Sequence, residues 1–189
     1  TLAVTRSPVL KTAEIPRMGL AVTSTFLHGD LLHLAGNMLF LWVFGNAINS
    51  KFGAPLYLLF YVLAGFCGHM AHYLIQGGPV VGASGAISGV MGAFLVFFPL
   101  NDVKMFYLVR IFMYRSAAGT FCMSGMWIIL MYVAWDVLYL AIGAQTTTAL
   151  WGHTIGFLAG FVVSLALLLT GVLKPTQDER SILGLFGRA

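Results

Sequence analysis

The chain has 189 residues, of which 59% are hydrophobic and only 8% are charged, and its net charge is +4 at pH 7. About 25% of the residues of an ordinary soluble domain are charged, so 10 basic and 6 acidic side chains are too few to cover a soluble globule. This composition excludes a soluble enzyme, a disordered tail and a nucleic-acid-binding module, and we expect no nucleic acid among the partners. It predicts an integral membrane protein surrounded by the lipid bilayer, in which Cys67 and Cys122 are small buried hydrophobic residues.

Uncharged stretches of about 20 residues, the length that a transmembrane helix needs, divide the chain into five predicted spans. The first ends before Lys51, and the uncharged residues 52–101 are enough for two more, separated by a turn at 76–79. Pro99 ends the third span, and Asp136 interrupts the fourth. The predicted spans are about 31–50, 55–75, 84–98, 123–142 and 151–173.

The remaining stretches flank or connect these spans. Residues 101–117 mix basic and aromatic side chains, a pattern typical of an amphipathic segment at the membrane interface. Residues 1–22 are predicted to be an outer N-terminal segment, residues 23–173 a membrane domain, and residues 174–189 a cytoplasmic tail. The chain begins with Thr and shows no signal peptide before the first span, so we expect a further span upstream. The predicted fold class is an all-α polytopic membrane protein.

The distribution of basic residues predicts the orientation of the chain. With five spans, 7 of the 10 Lys and Arg residues fall on the side of the C-terminal tail, and 3 fall on the side of the N-terminus. The excess of positive charge marks the first side as cytoplasmic. The first, third and fifth spans then all begin at the outer face of the membrane.

Polar residues cluster at the outer ends of these three spans, where a lipid-facing helix would not tolerate them cheaply. His33 and Asn37 lie one turn apart on the same face of the first span. Ser84 opens the third span, and His153 lies at the start of the fifth. A serine, two histidines and an asparagine at one depth are the residue types of a nucleophile, a base and oxyanion donors.

The third span is short enough to place Ser84 below the membrane surface. From Ser84 to Phe98 it has 15 residues, which is about 22 Å at 1.5 Å per residue, against a hydrocarbon layer of about 30 Å. The uncharged loop 79–83 must therefore dip inward to reach Ser84. Irregular backbone at that depth needs protein or a water-filled cavity beside it, and water at that depth is what a hydrolase working in lipid requires.

Small residues predict that the third and fifth spans pack closely. Gly152, Gly156 and Gly160 form two overlapping GxxxG repeats, and small residues at this spacing let two helix backbones approach each other. Close packing would bring His153 to Ser84, although the same repeats also serve helix packing without any chemistry.

Together these segments resemble the rhomboid family of intramembrane serine proteases. The order and spacing of the motifs agree with the family, and the resemblance covers roughly residues 23–173. The matching stretches are FLHGDLLHLAGNMLFLWVFGN (26–46), VGASGAISGVMGAF (81–94) and GHTIGFLAG (152–160).

The resemblance implies a catalytic machinery without a cofactor. Ser84 would be the nucleophile and His153 the general base, forming a dyad without an acid. The oxyanion would be bound by His33, Asn37 and the backbone amides of Ala83 and Ser84. The family core has six spans, so the span expected upstream would be the first of them.

Two positions depart from the family pattern. The family usually has an aromatic residue four positions after the serine, on which the catalytic histidine rests, and this residue is Ser88 here. The acidic residue near the end of the HxxxN helix corresponds to Asn49. Ser88 bears on how His153 is oriented, and Asn49 bears on how the outer loop is anchored.

Asp136 lies inside the fourth span, where an ionised carboxylate costs at least about 2.5 kcal/mol. The favoured interpretation is a protonated side chain that is hydrogen-bonded to a neighbouring helix. The alternative is a third catalytic residue behind His153, against which the rhomboid pattern argues. Ionisation would need a cation nearby, and only His153 is available in the outer half of the spans. The favoured interpretation therefore predicts near-normal cleavage for Asp136→Asn.

The three other histidines are interpreted as structural. His28 precedes the first span, and His69 and His72 lie three residues apart on the second. No second histidine pair on another span completes a metal or haem site, so we expect no metal and no cofactor. We predict that His69 and His72 hydrogen-bond to the backbone or to neighbouring helices.

Three functions compete for this arrangement. The first is a serine endopeptidase that cuts transmembrane segments of other membrane proteins, its partners, near their outer ends. The second is a catalytically inactive rhomboid-like protein that binds membrane clients; such proteins typically lack the serine or the histidine, and this chain has both. The third is a small transporter or haem carrier, which needs inward-facing charges or paired histidines. The compact core favours a bacterial plasma membrane, with the active site open to the outer face, and an organellar membrane is the alternative.

Overall fold

The computed structural model of the protein describes residues 14–77, 80–111, 115–143, 149–176 and 179–187. Within these ranges the chain forms α-helices and one β-hairpin, with short 3₁₀ turns at Ser24–Phe26 and Ile182–Phe186. The helices are α1 (Glu14–Thr23), α2 (Leu31–Phe40), α3 (Asn46–Phe52), α4 (Ala54–Ile75), α5 (Ser84–Phe97), α6 (Gly125–Ala141) and α7 (Leu150–Leu169).

Apart from α1, which lies in the predicted N-terminal segment, the helices coincide with the five predicted spans. A π-helical turn, Leu41–Gly45, joins α2 to α3, so that Leu31–Phe52 is one continuous helix of 22 residues. This helix, α4 and α7 are long and apolar enough to cross a membrane, and α5 and α6 are shorter apolar helices. The predicted polytopic helical fold is therefore confirmed. The turn at 76–79 and the loop at 143–150 lie partly outside the described residues.

Helix α5 lies at the centre of the bundle. From Gly85 to Phe97 every residue except Leu95 is buried, and α5 packs most extensively against α7 and then against α4. Because it is surrounded by protein, α5 is apolar on all its faces rather than on one stripe. Ser84, the first residue of this buried helix, is thus carried by the best-packed element of the fold.

Glycines let α4, α5 and α7 touch through their backbones. A Cβ atom on Gly68 would lie 2.6 Å from the carbonyl oxygen of Gly152 and 3.3 Å from the Cα of Gly85. On α7, Cβ atoms at Gly156 and Gly160 would collide with backbone carbonyl oxygens of α5. The close approach that the GxxxG repeats predict is therefore confirmed.

Between α5 and α6 the chain forms a two-stranded antiparallel hairpin, which the all-α expectation does not include. Strand β1 (Asp102–Ile111) pairs with β2 (Arg115–Ser124), with Val103 opposite Met123 and Met105 opposite Phe121. Alternating side chains of a strand point to opposite faces, and polar Asp102 and Lys104 alternate here with apolar neighbours. At the start of β1 the amphipathic pattern thus has a period of two residues.

Both cysteines are exposed on the protein surface, so the prediction that they are buried is wrong. Cys67 lines an apolar groove between α4 and α7, and Cys122 lies on β2. The surface of a membrane protein faces lipid, which is as apolar as the protein core. An apolar sequence environment therefore does not distinguish a buried residue from a lipid-facing one in this chain.

Candidate active site

The segment before Ser84 is held in an unusual backbone conformation. Gly82 has a φ of +123°, a region that favours glycine. Its N–H donates to the carbonyl oxygen of Ser24 at 3.0 Å, and its own carbonyl oxygen lies 3.1 Å from His69 Nε2. Ser84 then opens α5, and the first N–H groups of a helix have no acceptor within the helix. These amides are available to bind an oxyanion.

His69 links three parts of the chain to one another. It is buried on α4, and its Nδ1 lies 2.7 Å from the carbonyl oxygen of Ala21 and 3.0 Å from Ser24 Oγ. Since its Nε2 contacts Gly82, one imidazole joins α4, the end of α1 and the loop before Ser84. The predicted structural role of His69 is confirmed. Its contact with the loop was not predicted, because no sequence pattern connects His69 with Gly82.

His33 and Asn37 lie beside this same loop. The Asp30 side chain caps α2 by accepting from the His33 N–H at 2.8 Å. A Cβ atom on Gly82 would lie 2.8 Å from His33 Cε1 and 3.8 Å from Asn37 Nδ2. Asn37 is buried, and its Nδ2 has no hydrogen-bond partner in the described part of the chain. A buried donor without an acceptor is costly, and such donors are typical of a site that binds an oxyanion.

His28 packs against His33 and is part of the surroundings of this pair. The two ring centroids are 5.4 Å apart in an edge-to-face arrangement. Burial, and secondarily the neighbouring His33, lower the pKa of His28 below its usual value of 6.5. The lowered pKa favours the neutral imidazole, and the ring packing on His33 agrees with the structural role expected for His28.

His153 is buried near the N-terminal end of α7. The residue before it, Gly152, contacts the residue after Ser84, because a Cβ atom on Gly85 would lie 3.5 Å from the carbonyl oxygen of Gly152. Among the described residues, His153 makes its hydrogen bonds through Nδ1, and none joins it to Ser84 Oγ. Hydrogen bonds between catalytic groups are often long before substrate binds. The packing thus brings together the residues next to Ser84 and His153 in sequence, and the hydrogen bonds of His153 to α6 do not use Nε2.

Two residues of α6 hold the imidazole of His153. Asp136 Oδ2 and the Tyr132 hydroxyl each lie 2.9 Å from His153 Nδ1. Tyr132 also places its ring centroid 5.8 Å from that of His153, at an angle of 31°. Asp136 is hydrogen-bonded to a neighbouring helix, as expected, but its partner is the predicted catalytic base. Sequence reasoning missed Tyr132, although its spacing of four residues from Asp136 places both on one face of a helix.

Comparison with known proteins assigns the family. A model of the rhomboid domain matches residues 17–170, which is most of the chain. The chain belongs to the rhomboid family. It is 41% identical over 85 residues to rhomboid protease GluP of Bacillus subtilis, a match that covers 45% of this chain and 17% of that protein.

Other rhomboid relatives come from eukaryotes. Rhomboid protein 1, mitochondrial, of Saccharomyces cerevisiae is 34% identical over 92 residues, which cover 45% of this chain and 27% of that protein. RHOMBOID-like protein 5 of Arabidopsis thaliana is 33% identical over 151 residues, which cover 78% of this chain and 43% of that protein. The matched regions are thus less than half of the length of each of these relatives.

Ser88 stands where the rhomboid pattern has an aromatic residue, and here an aromatic residue of α6 lies beside His153 instead. Ser88 is fully buried, and its Oγ lies close to the Tyr132 phenol without meeting the geometry of a hydrogen bond. A small residue at this position leaves room for the Tyr132 ring beside His153. The aromatic contact that the rhomboid pattern places on the helix of the serine is supplied here by α6.

Proposed function

We propose that this rhomboid is an intramembrane serine endopeptidase that hydrolyses peptide bonds in or near transmembrane segments of other membrane proteins. Ser84 Oγ attacks the carbonyl carbon and passes its proton to His153. His153 then protonates the leaving amine, and an acyl-enzyme forms on Ser84. Water hydrolyses this ester in a second step of the same kind, with His153 again acting first as base and then as acid.

The observation that carries this proposal is the convergence of the three motifs on the loop before Ser84. His33 and Asn37 contact Gly82, and Gly152, next to His153, contacts Gly85. At this point the buried amide of Asn37 has no hydrogen-bond partner among the described residues, and a buried donor without an acceptor calls for an explanation. An amide that donates to the oxyanion of a tetrahedral intermediate would gain its partner only during the reaction.

The membrane and the side from which substrate arrives follow from the same proposal. Because the positively charged segments mark the cytoplasmic side, the active site opens to the outer face, and substrates enter it from the bilayer. We propose a bacterial plasma membrane, in keeping with the compact core. The relatives named above include one from a bacterium and one named as mitochondrial.

Cleavage of a transmembrane substrate by the purified protein tests this function. In detergent, we expect the parent to cut a fusion that carries a transmembrane segment, and Ser84→Ala to leave it intact at an unchanged melting temperature. Ser164→Ala is the matched control, because Ser164 is a buried serine of α7 whose hydroxyl has no partner in the described residues. An intact substrate bound tightly by both parent and Ser84→Ala would instead support a catalytically inactive protein that binds membrane clients.

A further inference from the structure

The hydrogen bonds of His153 differ from those of a simple dyad. Its Nδ1 is contacted by a buried carboxylate oxygen of Asp136 and by the Tyr132 hydroxyl, each at 2.9 Å. In a Ser–His–Asp triad the acid accepts the Nδ1 hydrogen, so that the Nε2 lone pair is free to receive the serine proton. The contact between Asp136 and His153 has this connectivity.

We propose that Asp136 and Tyr132 are positioning residues for His153, so that the proposed protease works with a Ser–His–Asp arrangement rather than with a dyad. The inference rests on the proposed function of Ser84 and His153. Asp136 fixes the tautomer of the imidazole and stabilises its protonated form, while the Tyr132 ring fixes its plane. This reverses the outcome that the sequence alone predicts for Asp136→Asn.

The charge balance inside the bundle supports this role. Among the described residues, the only ion pair of Asp136 is with His153, and an unpaired carboxylate within a membrane is expensive. During the reaction His153 accepts the Ser84 proton at Nε2 and becomes an imidazolium, while Nδ1 keeps its own hydrogen and donates it to Asp136. The positive charge therefore arises next to the carboxylate and disappears when Nε2 protonates the leaving amine.

Tyr132 complements the small residue at position 88. The Ser88 side chain is fully buried beside the Tyr132 phenol, so an aromatic side chain at 88 would compete with the Tyr132 ring for the same space. We infer that the aromatic ring that supports His153 is supplied in this protein by Tyr132 on α6 and not by a residue of α5. Moving the aromatic side chain from position 132 to position 88 should therefore preserve the support, whereas removing the Tyr132 ring without replacing it should not.

Three variants at position 136 test the role of the carboxylate. Asp136→Asn keeps the shape and loses the charge, whereas Asp136→Glu keeps the charge and lengthens the side chain. We expect kcat to fall at least a hundredfold in Asp136→Asn, with KM within threefold of the parent and the melting temperature nearly unchanged. In a soluble triad this substitution lowers kcat about 10⁴-fold. Asp136→Glu should retain more activity than Asp136→Asn, and Asp136→Ala should be as slow as Asp136→Asn.

The relative activities of these variants distinguish a charged carboxylate at 136 from a protonated side chain that only forms a structural hydrogen bond. A protonated structural donor predicts that Asp136→Asn is nearly normal and that Asp136→Glu, which overfills the site, is the worse of the two. Activity of Asp136→Asn within fivefold of the parent, or the order Asn above Glu, would overturn the proposal. Trp135→Phe, next in sequence and largely exposed, is the control for substitution on α6. A parent that does not cleave at all refutes the proposed function instead.

Two further variants test Tyr132. Tyr132→Phe keeps the ring and removes the hydroxyl, so we expect kcat within about tenfold of the parent, and Tyr132→Ala should lose more than a hundredfold. The kcat of the double variant Tyr132→Ala/Ser88→Phe should be at least tenfold higher than that of Tyr132→Ala, because an aromatic ring again lies beside His153. Tyr139→Phe, whose ring packs on Trp135, should behave as the parent. No rescue by Ser88→Phe in a folded double variant would overturn the role assigned to the ring.

Discussion

The imidazole of His33 lies directly against the backbone of Gly82, so that a Cβ atom there would be 2.8 Å from His33 Cε1 and 3.1 Å from Nε2. This contact places the side chain of α2 over the loop that leads into Ser84. Gly82 also has a φ of +123°, which L-amino acids rarely adopt. Two independent constraints, one steric and one conformational, therefore require glycine at this position.

Gly82→Ala should displace His33 and the amides at the start of α5. We expect cleavage to fall at least tenfold and the free energy of unfolding to fall by about 1–3 kcal/mol, a cost typical of strained backbone. Activity and thermal unfolding of the purified variant measure both effects. Gly29→Ala, where a Cβ atom would meet nothing within 4 Å, is the control, and equal behaviour of the two variants would contradict this account of Gly82.

His69→Leu tests the connection between α4 and the loop. The substitution removes the imidazole that lies within hydrogen-bonding distance of the carbonyl oxygens of Ala21 and Gly82, and a buried carbonyl that loses its donor costs about 1–3 kcal/mol. We expect a lower melting temperature together with slower cleavage, since the loop carries Ser84. His72→Leu changes a histidine of the same helix whose Nδ1 has no partner among the described residues, and it should be milder in both assays.

The helical spans could be predicted because uncharged length and hydropathy are properties of each segment by itself. That the three motifs lie at the same end of the bundle could also be predicted, because counting the spans shows that the first, third and fifth run in the same direction. The hairpin after α5 and the exposure of Cys67 could not, because lipid and core are equally apolar in a membrane protein. The contacts of His153 with Tyr132 and Asp136 depend on how α6 packs against α7, and no local pattern specifies that packing.

A single methyl group added at Gly156 should disrupt the packing of α7 against α5. A Cβ atom on Gly156 would collide with the carbonyl oxygen of Gly85, and backbone cannot move aside as a flexible side chain can. We expect Gly156→Ala to lower the free energy of unfolding by about 2 kcal/mol or more and to reduce cleavage, because Ser84 is next to Gly85.

Gly36→Ala is the matched substitution for Gly156→Ala. Gly36 is exposed on α2, and a Cβ atom there would meet nothing within 4 Å. Alanine has a higher helix propensity than glycine, so the melting temperature should stay the same or rise. Unfolding by heat or denaturant in detergent, measured for both variants in parallel, checks the pair. A stable, active Gly156→Ala would contradict the backbone contact between α5 and α7.

Asn37→Ala should slow the chemical step without weakening substrate binding. In the proposed mechanism the buried Nδ2 is one of several donors to the oxyanion, and loss of one such donor costs about 10²–10³ in kcat in a soluble protease. We expect a kcat loss of this size with KM unchanged and with a smaller defect than in Ser84→Ala. Steady-state kinetics on a transmembrane substrate checks this, and a loss as severe as that of Ser84→Ala, accompanied by a lower melting temperature, would indicate a structural role instead.

The most direct test of the account is covalent labelling by a fluorophosphonate probe, followed by peptide mapping of the modified residue. The probe reacts with a serine that a neighbouring base activates, and it requires no knowledge of the natural substrate. We expect one adduct, on Ser84, in the parent and in Ser164→Ala, and none in Ser84→Ala or His153→Ala. An unlabelled parent, or labelling that persists in Ser84→Ala, would contradict the assignment of Ser84 as the nucleophile.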